Sequence, residues 1–405
     1  MFNSKLYDFV IIGGGIIGTS SAMALLKNFN CSILIIETEN KLAAHQTGNN
    51  SGVIHSGLYY KPGSLKAKHC NEGRQLMYNF CEKHNISFKR TGKVVVAINK
   101  AELTGLNNLF ERGTANGLKG IKRLNKKELV KYEPHVNGIE GLFVPQTGIV
   151  DFSQVTNTFA QLFKAEGGEI ETDCKFLSLS KLRNELIIKT SKGDVKSRFL
   201  LNCGGLYSDR IAKLCGVDPG LQIIPFRGEY YKLNKDKEHL VENLIYPVPD
   251  SRFPFLGVHF TRMINGGVEV GPNALLAFKR VGYSIKEFSF SDFSQMITYK
   301  GFWKMAAKYY KTGFTEFQRS VSKTAFVRAI NKLVPEIESE DIEKSGAGVR
   351  AQAVDSAGRL IDDFRIVETE RMIHVLNAPS PAATASISIG KYISEIMRKK
   401  FEDRY

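Results

Sequence analysis

A cluster of glycines near the start of the chain has the spacing that binding of a dinucleotide requires. Gly13, Gly15 and Gly18 form the pattern G-x-G-x-x-G and directly follow an apolar run at residues 9–12. Such a turn lets a pyrophosphate approach bare backbone and rest on the positive end of the next helix. Glu37 ends a second apolar run nineteen residues after Gly18, where a carboxylate accepts a hydrogen bond from a ribose hydroxyl. The predicted contacts to an adenine dinucleotide are Gly13, Gly15, Ile16, Ile17, Gly18 and Glu37.

The elements that position this turn alternate between strands and helices. Apolar runs predict strands at residues 9–12, 32–36, 92–98, 177–191 (a hairpin), 198–205, 229–233, 256–260, 267–271 and 373–379. Helical patterns cover residues 19–26, 64–84, 100–116, 208–214 and 382–398. No strand periodicity shows at residues 167–171. Because the strand at 198–205 again ends in glycines, we expect a cofactor domain that returns to its own sheet, and a second, antiparallel sheet from the strands between 221 and 300.

Length and composition narrow the class of protein. A chain of 405 residues exceeds one typical core and predicts two domains, and its hydrophobic share of 43% is that of a globular protein. No run of 18 apolar residues predicts a membrane span, and the first apolar run is the cofactor strand rather than a signal peptide. Six scattered cysteines without C-x-x-C spacing predict free thiols and no metal site. We therefore expect a cytoplasmic protein.

The net charge of +15 is concentrated in one segment. Residues 300–332 contain eight Lys or Arg and a single acid, Glu316, with aromatic residues between them. A basic amphipathic helix of this kind is typical of segments that lie on an anionic membrane surface, here the inner face of the cell membrane. The alternative is a solvated helix that packs its aromatics on the core. Nucleic-acid binding is not expected, because no DNA- or RNA-binding motif accompanies the charge.

Several long motifs carry a resemblance to a known family. They are HQTGNNSGVIHSGLYY at 45–60, KPGSLK at 61–66, FRGEYY at 226–231, YPVP at 246–249, PFLGVHFTR at 254–262, GPNA at 271–274, AGVRAQ at 347–352 and NAPSPAATA at 377–385. With the glycine turn they resemble the L-2-hydroxyglutarate oxidases and dehydrogenases of the D-amino-acid-oxidase superfamily. The resemblance covers nearly the whole chain.

This resemblance implies a fold, a cofactor and a reaction. The implied fold is α/β, a glutathione-reductase-like FAD-binding Rossmann domain interleaved with an antiparallel-sheet substrate domain. The FAD-binding part would comprise residues 1–90, 145–220 and 335–405, and the substrate-binding part 91–144 and 221–334, including the basic segment at 300–332. The cofactor would be FAD rather than NAD. The reaction would be oxidation of L-2-hydroxyglutarate, a small dicarboxylate, to 2-oxoglutarate by hydride transfer from C2 to flavin N5. If the basic segment at 300–332 lies on a membrane, the electrons would pass to quinone; oxygen is the alternative acceptor.

Such a reaction needs a proton acceptor and cations that orient carboxylates. His55 and His259 are the candidate bases, because histidine has the side-chain pKa nearest neutrality. Arg350 stands among apolar residues and is the favoured carboxylate anchor, since a guanidinium binds both oxygens at once. Tyr59 and Tyr60 are candidate hydrogen-bond donors.

Two further arginines in apolar motifs, Arg227 and Arg262, are weaker candidates for the substrate. For Arg227 we favour an internal ion pair with Glu229.

The resemblance also places further cofactor contacts. The loop with Thr47, Asn50, Ser51 and Gly52 would hold the flavin side of FAD. Backbone near Phe176 would meet the adenine, and Gly204 follows the returning strand. The start of the last helix would direct its N–H groups at the flavin pyrimidine; its residues are Pro379, Ser380, Pro381 and Ala382.

Other functions remain open at this level. A glycerol 3-phosphate or amino-acid oxidase would share the turn and the interleaved domains, and an NAD-dependent dehydrogenase could use the same turn with Glu37. A nucleic-acid-associated flavoprotein is a third possibility, suggested by the net charge.

Overall fold

The computed structural model describes residues 5–249 and 256–404, so Pro254 and Phe255 of the motif at 254–262 lie outside the described residues. Its strands are β1 (Leu6–Ile12), β2 (Ile33–Ile36), β3 (Val53–Ile54), β4 (Phe88–Lys89), β5 (Lys93–Ala97), β6 (Lys122–Asn125), β7 (Glu140–Val144), β8 (Gly148–Val150), β9 (Glu169–Glu171), β10 (Phe176–Lys181), β11 (Leu186–Thr190), β12 (Gly193–Asn202), β13 (Leu221–Leu233), β14 (Leu244–Pro247), β15 (His259–Arg262), β16 (Val268–Gly271), β17 (Leu275–Leu276), β18 (Ile342–Asp355), β19 (Arg365–Glu368) and β20 (Met372–Asn377). Its α-helices are α1 (Ile16–Asn28), α2 (Leu65–Lys83), α3 (Leu103–Ala115), α4 (Lys126–Tyr132), α5 (Phe152–Ala165), α6 (Ser208–Leu214), α7 (Phe290–Ile297), α8 (Lys300–Val321), α9 (Lys323–Ile330) and α10 (Ala382–Glu402).

The first sheet has β1 at its centre. Within the described residues its order is β10-β11-β12-β1-β2-β9, with β20 on β12 and β19 on β20. The pairs β1–β2, β1–β12, β12–β20 and β2–β9 are parallel. Apolar side chains of β1, β12 and β20 pack under α1 and α10 on one face. The carboxyl ends of β1, β12 and β20 therefore meet at one edge of the sheet, where α/β proteins bind ligands.

Two strands of this sheet, β9 and β19, were not predicted from the sequence. β9 pairs in parallel with β2, Leu34 opposite Glu169, although residues 167–171 show no strand periodicity. It is a three-residue strand at the edge of the sheet, and its one apolar residue, Ile170 between two glutamates, is too short a signal to predict a strand. Glu169 accepts a hydrogen bond from Tyr7 Oη at 2.8 Å.

The second sheet carries the predicted substrate region. Its order is β17-β13-β16-β15-β14-β5-β7-β6, with β18 also on β13, in the part of the chain that the structure describes. The pairs are antiparallel apart from β14–β5. The longest pair joins β13 to β18, from Leu221 opposite Asp355 to Leu233 opposite Ile342. β18 thus belongs to the second sheet although it follows the predicted boundary at residue 335, and the domain boundaries stay a prediction.

The basic segment forms α8 and α9, and only part of it is packed. Phe302 and Met305 of α8 are buried in a core cluster with α7 and β13. Trp303, Tyr310, Phe314, Phe317 and Val321 are exposed, Phe314 at 63%. The aromatic residues at the start of α8 therefore pack on the core, whereas those in the rest of the helix do not. No helix in residues 5–249 and 256–404 combines the length and apolar content that crossing a bilayer requires.

Candidate active site

The glycine turn between β1 and α1 is shaped by close backbone contacts. Gly13 has φ +109°, and a Cβ there would lie 2.5 Å from Cys203 O at the end of β12. A Cβ on Gly18 would lie 2.0 Å from Gly13 O. Gly15 caps α1 in an extended conformation, and Ile16 and Ile17 form the first turn of the helix. These glycines are therefore required by the packing of the turn and leave its backbone bare on the ligand side.

Glu37 is fixed beside the turn. Its Oε2 accepts from Gly14 N at 2.6 Å and its Oε1 from Glu39 N at 2.9 Å. Cys174 N donates to Glu37 O at 2.8 Å, which brings the backbone before β10 next to this carboxylate. Phe176 itself points into the core, 6% exposed, so only main chain at this position can face a cofactor, as the prediction requires.

The loop at residues 47–52 is held by its own side chains. Thr47 Oγ1 accepts from Ile16 N at 3.1 Å. Asn50 Nδ2 donates to Thr47 O at 2.5 Å, while its Oδ1 accepts from Gly52 N at 2.8 Å. Thr47 and Asn50 therefore attach the loop to the start of α1 and set its shape, and half-buried Ser51 lies between them and β3.

The start of α10 closes the same edge of the sheet. Gly204, after β12, donates its N–H to Asn202 Oδ1 at 3.0 Å. Pro379, Ser380, Pro381 and Ala382 follow β20 and lead into α10, whose first turn has no side-chain cap. The turns after β1, β12 and β20 thus adjoin one another, with two helix N-termini among them. This cradle of bare backbone, which a Cβ would fill, fits a dinucleotide.

The five predicted catalytic residues come together beside this cradle. His55 Nε2 lies 3.2 Å from Ser380 Oγ, and His55 N donates to Thr384 Oγ1 at 3.0 Å. Tyr60 hydrogen-bonds Ser380 and interacts electrostatically with Tyr59, and Arg350 interacts with Tyr60. The charge of a protonated His259 would act on His55. One site therefore contains residues from four distant parts of the chain.

His259 is positioned by stacking and by one hydrogen bond. Its ring lies parallel to that of Tyr246, with centroids 4.0 Å apart. Its Nδ1 lies 2.9 Å from Gly257 O, and because a carbonyl only accepts, Nδ1 carries the proton and Nε2 is the acceptor. Burial, opposed by this hydrogen bond, lowers the pKa of His259 to about 4.

Sequence reasoning missed Lys93, the first residue of β5. Its side chain is 1% exposed, and Nζ lies 4.2 Å from the ring centroid of Tyr59 and 4.9 Å from that of Tyr246. Burial lowers the pKa of Lys93 to about 7. Burial, and then the charge of Lys93, lower the pKa of His55 to about 3. No local signal marks Lys93, because a lysine at the start of a strand is normally exposed.

Further cations lie near Tyr60. Lys66, at the start of α2, donates to Asp362 Oδ1 at 2.7 Å, and its Nζ lies 5.6 Å from the Tyr60 ring centroid. Arg350 lies within the field of Lys66 and Asp362. Burial lowers the pKa of Arg350, while the Asp362 charge opposes that shift. Together with Lys93, these side chains make the site positively charged.

The two remaining arginines are structural. Arg227 Nη2 pairs with Glu229 Oε1 at 3.1 Å, which confirms the predicted internal ion pair. Arg262 donates to Val241 O at 2.7 Å and to Glu238 O at 3.0 Å. All six cysteines are free thiols. Within the described residues, no group of three His, Cys, Asp or Glu side chains is arranged to hold a metal ion.

Comparison with known proteins decides the family. The family model described as DAO, FAD dependent oxidoreductase, matches residues 8–396. The chain belongs to this family. Its cofactor is FAD, and the cradle described above fits that cofactor. Membership in the FAD-dependent oxidoreductases excludes the alternative of an NAD-dependent dehydrogenase.

Similar proteins include L-2-hydroxyglutarate dehydrogenases from bacteria and animals. The L-2-hydroxyglutarate dehydrogenase of Indibacter alkaliphilus is 51% identical over 397 residues, which are 98% of this chain and 100% of the relative. The mitochondrial L-2-hydroxyglutarate dehydrogenase of Homo sapiens is 44% identical over 418 residues, 99% of this chain and 90% of the relative. The predicted family resemblance and enzyme class are confirmed.

Solved structures confirm the fold class of this oxidoreductase. L-alpha-glycerophosphate oxidase from Mycoplasma pneumoniae, with FAD bound, has a TM-score of 0.80 at 22% identity and covers 97% of this chain and 95% of its own. Glycine oxidase from Bacillus cereus has a TM-score of 0.70 at 18% identity, with coverage of 97% and 95%. The roles of individual site residues stay predictions.

Proposed function

We propose that this protein oxidises L-2-hydroxyglutarate to 2-oxoglutarate. The observation that carries the proposal is the positive site in which Lys93 acts on both imidazoles, Lys66 acts on His55, and Arg350 interacts with Tyr60. A substrate with two carboxylates would neutralise such a site. The names of relatives at 44–51% identity agree with this substrate.

The chain's own groups orient the substrate and accept a proton. Arg350 binds the carboxylate next to the reacting carbon, because its guanidinium can pair with both oxygens and fix the register. Tyr59 and Tyr60 donate hydrogen bonds, since burial raises the pKa of both phenols and keeps them protonated. FAD, when bound, supplies the two-electron acceptor that takes the hydride from C2.

We assign proton acceptance from the C2 hydroxyl to His55. It lies at Ser380, just before α10, and interacts electrostatically with Lys93 and Lys66. Burial, and after it the charge of these cations, lowers the pKa of His55 and keeps its imidazole neutral in the free enzyme, so that it can accept a proton. A bound dicarboxylate offsets their charge and raises the pKa of the imidazole, which makes it a stronger base when the substrate is present.

A substrate panel tests this function. The purified holoenzyme is assayed with L-2-hydroxyglutarate, its D-enantiomer, glycerol 3-phosphate and glycine, with a dye as electron acceptor. We expect turnover of the L-2-hydroxy acid and formation of 2-oxoglutarate. Turnover of glycerol 3-phosphate or glycine in its place would assign the enzyme to another branch of the family, and no turnover of L-2-hydroxyglutarate would overturn the proposal.

We further propose that α8 binds an anionic membrane surface and that quinone accepts the electrons. The exposed apolar residues Trp303, Tyr310, Phe314, Phe317 and Val321 follow one another at intervals of seven, four, three and four, which places them on one face of the helix. Lys304, Lys308 and Lys311 lie beside this face. A stripe of this composition inserts between lipid headgroups.

Vesicle flotation tests the membrane surface. Wild type should bind phosphatidylglycerol-containing vesicles at low salt and less at high salt, while phosphatidylcholine vesicles should bind little. The double variant Phe314→Ser, Phe317→Ser should lose binding, and Leu177→Ser, which removes an exposed apolar residue from β10, should not. Equal binding of all three proteins would contradict the proposal. Anaerobic reduction of a ubiquinone analogue in these vesicles tests the acceptor, and turnover with oxygen alone would contradict it.

A further inference from the structure

Lys93 is a buried cation without a counter-charge. In residues 5–249 and 256–404 it makes no ion pair and no hydrogen bond; its Nζ lies over the rings of Tyr59 and Tyr246, and the Cys70 thiol is also within electrostatic reach. Burying a charge in this way is costly unless an anion compensates it. Nothing else in the fold requires a charge there, because the neighbours of Lys93 in β5 and β7 are apolar. Burial of the Lys93 charge therefore destabilises the free protein, and an anionic ligand would compensate that charge.

A second polar group next to Lys93 also has no partner. Tyr59 Oη is buried and makes no hydrogen bond within the described residues, and its ring is the one nearest to Lys93 Nζ. Burial keeps this phenol protonated by raising its pKa. The Lys93 ammonium and the Tyr59 hydroxyl are thus one charged and one neutral hydrogen-bond donor close together, and a carboxylate could accept from both.

Lys93 and Arg350 lie on different strands and have different surroundings. Lys93 is on β5, with Tyr59, Tyr246 and His259 around it. Arg350 is on β18, in the field of Tyr60, Lys66 and Asp362. The His55 imidazole interacts electrostatically with both Lys93 and Lys66. Two separate cationic groups in one site suit a ligand that has two carboxylates.

We propose that Lys93 ion-pairs with the substrate carboxylate remote from the oxidised carbon, and that it thereby selects dicarboxylates over 2-hydroxy monocarboxylates. This inference rests on the proposed function and assigns its specificity to a residue of the second sheet. Arg350 then holds the carboxylate next to C2, and Tyr59 Oη donates to the carboxylate that Lys93 binds.

Steady-state kinetics of the holoenzyme test the selectivity. For Lys93→Met, KM for L-2-hydroxyglutarate should rise by at least about 30-fold, as expected when a buried ion-pair partner is removed, while kcat changes much less. Turnover of L-2-hydroxyvalerate, which has a methyl group in place of the remote carboxylate, should change by less than about threefold, because that substrate never pairs with Lys93. Lys68→Met, which removes an exposed lysine of α2, is the charge-matched control. Equal losses on both substrates would overturn the inference.

A binding measurement separates this inference from the proposed function. Glutarate, which cannot be oxidised at C2, is titrated into the holoenzyme and followed through the flavin spectrum. Wild type should bind it, and Lys93→Met should bind it at least about 30-fold more weakly. Loss of this binding in Lys93→Met without any turnover of L-2-hydroxyglutarate by wild type would overturn the proposed function alone. Equal dissociation constants, or no binding to wild type, would overturn the role of Lys93.

The pH dependence of glutarate binding tests the role of Lys93 on the wild-type protein alone. Wild-type affinity should fall about tenfold per unit as pH rises above 7, because Lys93 then loses its charge in the free enzyme. The other titratable groups around Lys93 stay uncharged between pH 6 and 9. Burial lowers the pKa values of His55 and His259, and it raises those of Tyr59, Cys70 and Tyr246. The shifts at Lys66 and Arg350 are opposed by Asp362. Affinity that is constant from pH 6 to 9 would overturn the inference.

Discussion

Burial reverses the order in which the site's residues titrate. From unperturbed values, histidine is the group expected to change its charge near neutral pH and lysine is not. In the structure, burial lowers the pKa of His55 to about 3 and of His259 to about 4, while it brings Lys93 to about 7. The imidazoles are thus permanent acceptors in the free enzyme, and Lys93 is the group through which neutral pH acts on the site.

At His55 we predict an effect on turnover rather than on binding. His55→Asn should lower kcat by about 10²–10⁴-fold, the usual contribution of a positioned base, with KM nearly unchanged and FAD retained. Steady-state kinetics and the flavin absorbance per protein check this. His259→Asn is the comparison, and a larger fall of kcat there would move the base to His259.

The same residue predicts the acid side of the rate profile. Because the pKa of His55 in the free enzyme is lowered to about 3, kcat/KM should not fall between pH 6.5 and 5 through protonation of this group. The group contributes its base function above the lowered pKa and loses it only as pH falls through that value. A descending limb with a midpoint near 6.5 would show that the imidazole has its ordinary pKa.

Among the elements, the β1–α1 turn is the least tolerant of change. In Gly18→Ala the new Cβ would meet Gly13 O at 2.0 Å, so α1 must move away from β1 and from the cofactor. We expect loss of bound FAD, measured as flavin absorbance per protein, and a lower thermal midpoint. Gly313→Ala in the exposed part of α8, where a Cβ meets nothing within 4 Å, should keep FAD and gain up to about 1 kcal/mol from helix propensity. Equal FAD content in both variants would contradict this account of the turn.

The sequence predicts those elements whose own residues carry a recognisable pattern. The G-x-G-x-x-G turn, β1 and β2 are predictable because glycine spacing and apolar runs mark them directly. β18 was missed, since Ser345, Gly346 and neighbouring small residues give no alternation, and its partner β13 lies more than a hundred residues earlier. The fold class and the histidine positions came from long family motifs. Lys93 has no such motif, and its role depends on contacts with Tyr59 and Tyr246 that only the folded chain creates.

At the scale of the whole molecule, buried neutral histidines make stability depend on pH. Burial lowers the pKa of His374, a fully buried residue of β20 in the first sheet, to about 4, close to the values of His55 and His259. Below pH 6.5 the unfolded chain takes up protons at these residues that the folded chain does not take up until about pH 4. The free energy of unfolding should therefore fall as pH drops from 6.5 to 4, by up to about 1.4 kcal/mol per pH unit for each histidine.

Urea unfolding at pH 7.5, 6 and 5 checks this dependence. His374→Gln should reduce the slope of stability against pH between 6.5 and 4, because it removes one of the three groups. His239→Gln replaces an exposed imidazole and should leave the slope unchanged. Stability that is the same for wild type at pH 7.5 and pH 5 would contradict the prediction.

The position of β20 and α10 in the first sheet has a consequence for protein synthesis. β1 is made first but pairs with β12, about 190 residues later, and β12 pairs in turn with β20. α10 covers α1, with Gly390 packed on Ser20 O. A ribosome therefore has to translate nearly all of residues 5–404 before this sheet can close and FAD can be retained. Until then the nascent chain exposes unpaired parallel strands, which calls for chaperone protection during translation.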